Sequence, residues 1–187
     1  FNQEDLLLCG MPKFDKSYTY DGADKIVIMP TWRPWEFNEV RHDPKNTNYW
    51  KMIERIKSAI PKDYSDKVVI QAHPLFNQTK DGNIKQERNI DELLRETRLL
   101  ITDYSSVAYD AFYRGANVIF YWEEMLECME KYGAPTHLMI NEETAPGFVC
   151  WNQDDLKNVF NKAYTEPQPI RLIQNYRKIV SFHDGKN

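Results

Sequence analysis

The segment Leu99–Tyr121, LLITDYSSVAYDAFYRGANVIFY, leaves its chain few folds to choose from. It begins with the apolar run Leu99, Leu100 and Ile101, breaks over the polar stretch Thr102 to Ser106, and ends in the β-branched and aromatic run Val118 to Tyr121. Between the two runs there is room for one helix, so the spacing predicts a βαβ unit and hence parallel strands. Ser105 and Ser106 stand where N-cap residues are wanted. The amides of the following turn would then point beyond the strand end, where an anion is the natural occupant.

The remainder of the chain repeats this alternation. Short apolar runs predict strands at Asp5–Cys9, Lys25–Met29, Lys67–Ala72 and Val149–Trp151. Tyr49, Met52, Ile53, Ile56 and Ile60 recur at helical spacing and stop before Pro61, and shorter helices are predicted over Asp91–Thr97 and Glu123–Tyr132. Two more follow, one beginning at Asp154 and Asp155 with Leu156, Val159, Phe160 and Ala163 on one side, the other over Ile170–Ser181. Leu75–Arg88 is polar and reads as a surface loop. Strands alternating with helices predict an α/β fold, a doubly wound parallel sheet covered on both faces.

Composition narrows the function classes. The 187 residues suit one domain, and a net charge of -4 argues against a generic nucleic-acid binder. Cys9, Cys128 and Cys150 are widely spaced, with no CxxC pair and no histidine at zinc spacing, so neither a disulfide framework nor a structural metal is indicated. No apolar run reaches the roughly 18 to 20 residues that cross a bilayer, and the reading is a reducing, cytosolic setting. The chain opens on Phe1 and stops just after His183-Asp184-Gly185-Lys186, which reads as an excised piece of a longer protein.

In doubly wound sheets ligands bind beyond the carboxyl ends of the strands. Three predicted strands end in suitable chemistry: one in Thr31, Trp32 and Arg33, one in His73 and Pro74, and one in Thr102, Asp103, Ser105 and Ser106. Arg33 offers a planar fork of donors to phosphate oxygens, while His73 can donate a further hydrogen bond or a proton. Pro74 holds His73 extended. Each residue alone has an ordinary structural use, as a surface ion pair, a cap or a turn former. Placed together on one sheet edge, they describe a diphosphate cradle.

The same residues resemble the CDP-glycerol glycerophosphotransferases that prime or polymerise teichoic acid chains. Gly10-Met11-Pro12-Lys13-Phe14-Asp15 is similar to the family's GxPRxD turn, Pro30-Thr31-Trp32-Arg33 to its PTWR, and His73-Pro74 to its HP. Ile90–Leu94 followed by Leu99–Asp110 resembles its INELL and LITDYSSVxFD signature, and Phe182-His183-Asp184-Gly185-Lys186 its closing F-x-DGK. Two departures stand out. Lys13 replaces an arginine, keeping the charge without the bidentate fork, and the turn after Tyr121 carries Glu123 and Glu124 and lacks the family's later Arg-Gly.

The resemblance implies that residues 1–187 are the carboxyl-terminal, Rossmann-like, donor-nucleotide-binding half of a two-domain GT-B enzyme. It places the CDP-polyol donor over the strand ends, with His73, Ser105 and Ser106 near the phosphates and Thr31, Arg33 and Asp103 close by. Lys13, Asp110 and Asp184 are further candidates. His73 is the catalytic candidate on this half, and the base that deprotonates the acceptor is expected on the other half, so this piece alone would bind without turning over. Cofactors are not implied; there is no DxD-type pair, although Mg²⁺ can take most of its ligands from substrate phosphates. The implied partners are CDP-glycerol or a related CDP-polyol such as a ribitol donor, and a polymer or lipid-linked acceptor at the inner face of the membrane.

Two rival readings stay open. A GT-B glycosyltransferase or sugar epimerase domain would bind a UDP-sugar on the same strand edge. A nonenzymatic nucleotide-binding or docking module would use a flavodoxin-like fold, with Trp32, Trp35, Phe37, Tyr49 and Trp50 as a protein contact.

Overall fold

The computed structural model describes residues 9–14, 21–72, 89–133 and 138–181. Five parallel strands form one sheet: β1 (Lys25–Ile28), β2 (Val68–Ile70), β3 (Thr97–Thr102), β4 (Asn117–Tyr121) and β5 (Phe148–Cys150), in the spatial order β2-β1-β3-β4-β5. The chain therefore runs outward from β1 to β2, then returns past β1 to lay down β3, β4 and β5. The reversal falls between β1 and β3, where a doubly wound sheet opens its crevice.

Strand alternation supplies both faces. Ile26, Ile28, Leu99, Ile101, Ile119 and Tyr121 point to one side, where they pack with α1 (Phe37–His42), α2 (Asn48–Ala59) and α6 (Gln153–Thr165). Val27, Leu100, Val118 and Phe120 point to the other, against α3 (Ile90–Arg95), α4 (Val107–Tyr113) and α7 (Ile170–Ile179). Because both faces are covered, the central strands carry unbroken apolar runs, Ile26–Ile28, Leu99–Ile101 and Val118–Tyr121, instead of alternating with polar residues.

The helix predicted from Tyr49 to Ile60 is α2, with Tyr49, Met52, Ile53 and Ile56 fully buried. Thr47 caps it by accepting the Trp50 amide at 3.2 Å, and Ile60 turns extended ahead of Pro61. Asn152 caps α6 through the amides of Asp154 and Asp155, both at 2.9 Å. α5 (Met125–Tyr132) begins two residues later than expected.

Several boundaries shift for reasons outside their own sequence. Thr97, expected at the end of a helix, opens β3, because its neighbour Glu96 accepts the Lys25 amide at 3.0 Å and starts the ladder with β1. β2 is shorter than expected: Lys67 closes a 3-10 stretch over Lys62–Lys67, although Gln71 still donates to the Ile28 carbonyl at 3.0 Å. α1, and the 3-10 turn Pro34–Glu36 before it, were not expected from periodicity. The expected strand at Asp5–Cys9 lies outside the described residues except for Cys9, and the Leu75–Arg88 loop does so entirely.

The aromatic group after β1 packs largely within the domain. Tyr49 is fully buried, and Trp32 and Trp50 lie against the α2 side of the core. Trp32 meets Phe37 edge-on at 6.3 Å.

Candidate functional site

The crevice at the β1/β3 reversal is closed by the two loops that leave these strands. Pro30 ends β1, and Met29 is held on both sides: its amide donates to the Ile101 carbonyl at 3.0 Å and its carbonyl accepts the Thr102 hydroxyl at 2.7 Å. The chain is thereby delivered so that Thr31 meets Asp103. The Thr31 amide reaches both carboxylate oxygens at 2.9 and 3.0 Å, and its hydroxyl reaches Oδ1 at 2.8 Å. The Tyr104 amide donates to the same Oδ1 at 2.7 Å. Asp103 is almost wholly buried and is the hub that joins the two loops.

Arg33 turns inward to this hub. Only 2% of it is exposed, and Nη1 lies 3.0 Å from Asp103 Oδ2 and also donates to the Thr31 carbonyl. Nη2 lies 3.3 Å from Glu124 Oε2 and 3.5 Å from Met52 Sδ, while the guanidinium sits 5.4 Å from the Tyr104 ring centre. Burial works to depress the guanidinium's affinity for its proton, but Asp103, with Tyr104 and Cys128 beside it, more than reverses this, so Arg33 stays charged. The sequence expectation of a solvent-facing fork for phosphate differs from this geometry. A cation taken out of water needs counter-charges, and two carboxylates of this chain supply them.

The Ser105–Ser106 turn also differs in detail. Ser106 occupies the N-cap position of α4 with helical angles and makes no side-chain cap bond; Ser105 Oγ accepts the Val107 amide at 3.4 Å. The Ser106 hydroxyl is thus left on the exposed side of the turn. It lines a cavity of about 450 Å³ together with Gly10, Lys13, Tyr109 and Asp110. Across this cavity Lys13 Nζ lies 2.6 Å from Asp110 Oδ1, with half of the lysine side chain exposed. Phe14 stacks on Tyr113 at 4.2 Å and pins the Lys13 turn to α4.

The structure therefore sorts the expected residues into two groups. Thr31, Arg33 and Asp103 form a buried network, and Lys13, Ser106 and Asp110 converge on an open pocket, with Ser105 on the loop between them. His73 and Asp184 lie outside the described residues. Among the described residues no group of three His, Cys, Asp or Glu side chains could hold a metal ion, and no helix is long and apolar enough to cross a membrane.

Sequence reasoning missed the braces behind the network. Trp122 donates its indole N–H to the Asp103 carbonyl at 3.0 Å. Glu124 also reaches Arg55 of α2, Oε1 to Nη2 at 2.7 Å, and Arg55 Nε meets Glu123 at 2.6 Å. The acid pair directly after a strand was the available signal; its partner, Arg55, sits on the polar side of a helix and carried none.

A parallel sheet with a pocket and a buried charge network beside the loops that leave its strands is the doubly wound α/β class, in which ligands bind at the carboxyl ends of the strands. The chain belongs to the CDP-glycerol:poly(glycerophosphate) glycerophosphotransferase family, whose model matches residues 1–187. It is 29% identical over 179 residues to a teichoic acid glycerol-phosphate transferase of Staphylococcus aureus (strain NCTC 8325 / PS 47), covering 87% of this chain and 43% of that protein. It is 26% identical over 146 residues to the minor teichoic acid biosynthesis protein GgaB of Bacillus subtilis (strain 168), covering 66% of this chain and 16% of that one. Among solved structures it resembles a variant of the wall teichoic acid polymerase TagF, with a TM-score of 0.68 at 20% identity, covering 100% of this chain and 50% of that chain. The same variant soaked with CDPG matches with a TM-score of 0.67 at 21% identity, again covering 100% of this chain and 50% of that chain. The chain thus spans half the length or less of these relatives.

Proposed function

We propose that this chain is the donor-binding half of a GT-B-type CDP-glycerol glycerophosphotransferase, acting in the synthesis of teichoic acid or a related cell-surface polymer. One observation carries the reading: Ser106 and Asp110 of the family's signature segment, Leu99–Asp110, form a wall of the pocket on which Lys13 of the separate Gly10–Asp15 motif also converges. Neither a UDP-sugar enzyme nor a docking module is favoured by a family match that spans the whole chain.

In the proposed reaction an acceptor hydroxyl attacks the phosphorus next to glycerol and cytidine monophosphate leaves. Negative charge gathers on the equatorial and leaving oxygens, where fixed donors lower the barrier. In this reading Lys13 and the Ser106 hydroxyl meet those oxygens from the pocket side, and His73, after β2 in the chain, donates to the leaving phosphate. Thr31, Arg33 and Asp103 act behind them by holding the loop that carries Ser105 and Ser106. The acceptor, on a polymer or a lipid carrier, and the base that deprotonates it belong to the other half, which would dock at the inner face of the membrane.

Titration calorimetry against CDP-glycerol, CDP, UDP and GDP tests the donor assignment. The cytidine compounds are expected to bind more tightly, and Ser106→Ala and His73→Ala each to weaken them without unfolding the domain. Equal or reversed base preference overturns it.

A further inference from the structure

We infer that Glu124 is a positioning residue, holding Arg33 and through it the Asp103–Ser106 loop in the shape that receives the donor. The inference rests on the donor-site reading above and assigns work to the acid pair that departs from the family pattern. Glu124 lines no part of the Lys13–Asp110 cavity. Its carboxylate bridges two guanidiniums instead, Arg33 of the β1 loop at 3.3 Å and Arg55 of α2 at 2.7 Å. Arg33 in turn grips Asp103 at 3.0 Å. From the same turn Trp122 holds the Asp103 carbonyl at 3.0 Å, so the β4–α5 connection fixes Asp103 at its backbone and, by way of Arg33, at its carboxylate.

The bridge is a poor device for stability. Burial pushes the Glu124 carboxyl above its ordinary value even though Arg33 and Arg55 both pull it down, so removing it from water outweighs the attraction of two cations. Such a buried bridge adds little net stability against apolar side chains of the same volume, although losing one partner of it is costly. Asp103 holds only the Nη1 end of Arg33, through Oδ2, while its Oδ1 serves the Thr31 amide, the Thr31 hydroxyl and the Tyr104 amide. Without Glu124, the Nη2 end of Arg33 keeps only the thioether of Met52, a weak acceptor.

Glu124→Gln preserves the side-chain shape and removes the charge. The test applies three measurements to the whole chain: the urea unfolding midpoint, hydrogen exchange of the Thr31 and Tyr104 amides, and CDP-glycerol affinity by calorimetry. The midpoint is expected to fall, since Arg33 loses one of its two counter-charges, while the two amides, which both donate to Asp103, accelerate in exchange about tenfold more than the amides elsewhere in the variant and CDP-glycerol binds about tenfold more weakly. Arg55→Met should reproduce both effects in smaller measure. Wild-type exchange at Thr31 and Tyr104 in the Gln variant overturns the inference, as does exchange that rises equally throughout the molecule, which marks a structural brace. Should the wild type not bind CDP-glycerol, the donor reading fails by itself, and the exchange rates still decide the role of Glu124.

Discussion

Thr31 and Asp103, 72 residues apart in the chain, are joined by three contacts of 2.8 to 3.0 Å. A backbone amide and a hydroxyl from the loop after β1 both end on one carboxylate from the loop after β3. The two loops that border the crevice therefore move as one piece, with Arg33 as their shared counter-charge.

Asp103→Asn should be among the most damaging single changes. It leaves Arg33 with Glu124 alone and turns an amide N–H toward donors that need an acceptor. Loss of one partner of a buried pair costs about 3–5 kcal/mol, and urea denaturation followed by circular dichroism should show the midpoint falling accordingly.

Ser106→Ala and Lys13→Met should separate binding from stability. Ser106 makes no cap bond, and the Lys13–Asp110 pair is half exposed at the lysine. Stability is expected to change by no more than about 1 kcal/mol in either variant. Calorimetric affinity for CDP-glycerol should fall about tenfold in each, the scale of one lost bond to a charged phosphate.

Gly147→Ala should destabilise the domain with no direct effect on the pocket. An added Cβ would meet the Val118 carbonyl at 2.7 Å and the Phe120 ring at 2.8 and 2.9 Å. The carbonyl belongs to the central strand β4 and cannot withdraw, so about 1–3 kcal/mol is expected from overpacking, read as a lower thermal midpoint with CDP-glycerol affinity retained in the folded fraction.

Alkaline pH should weaken the fold through Cys150. Burial pushes its thiol up to about 12, with Asp155 adding to the shift, whereas the unfolded thiol titrates near 8.5. The folded state thus prefers the neutral thiol: the contribution is complete below about pH 8.5 and is lost as pH rises toward 12. Urea midpoints measured upward from about pH 8 should decline less steeply in Cys150→Ala than in the wild type, and iodoacetamide at mildly alkaline pH should label exposed Cys9 well ahead of Cys150.

Much of this architecture was legible in the order of residues. The spacing of Tyr49, Met52, Ile53 and Ile56 marks α2, the all-apolar run Leu99–Ile101 marks a strand covered on both faces, and the signature Leu99–Asp110 names the family. These signals are local: helix periodicity, strand burial and turn chemistry act over a few residues, so a linear reading contains them. Lys13, Ser106 and Asp110 were each singled out from their motifs, but that they line one pocket is visible only in the fold, where the Lys13 turn packs against the start of α4.

The orientation of Arg33 did not follow. From sequence it stands at a strand end like any exposed cation; in the fold it is buried against Asp103, 70 residues on, and Glu124, 91 residues on. Whether an arginine faces solvent or the interior depends on which carboxylates the topology brings within hydrogen-bond range, and that distance exists only once β3 and β4 have paired beside β1. The sequence by itself determined the alternating elements, the sheet edge that carries the chemistry and the family. The tertiary structure alone decided which charges meet ligand and which meet each other, because desolvation and Coulomb attraction are set by spatial neighbours that chain spacing does not encode.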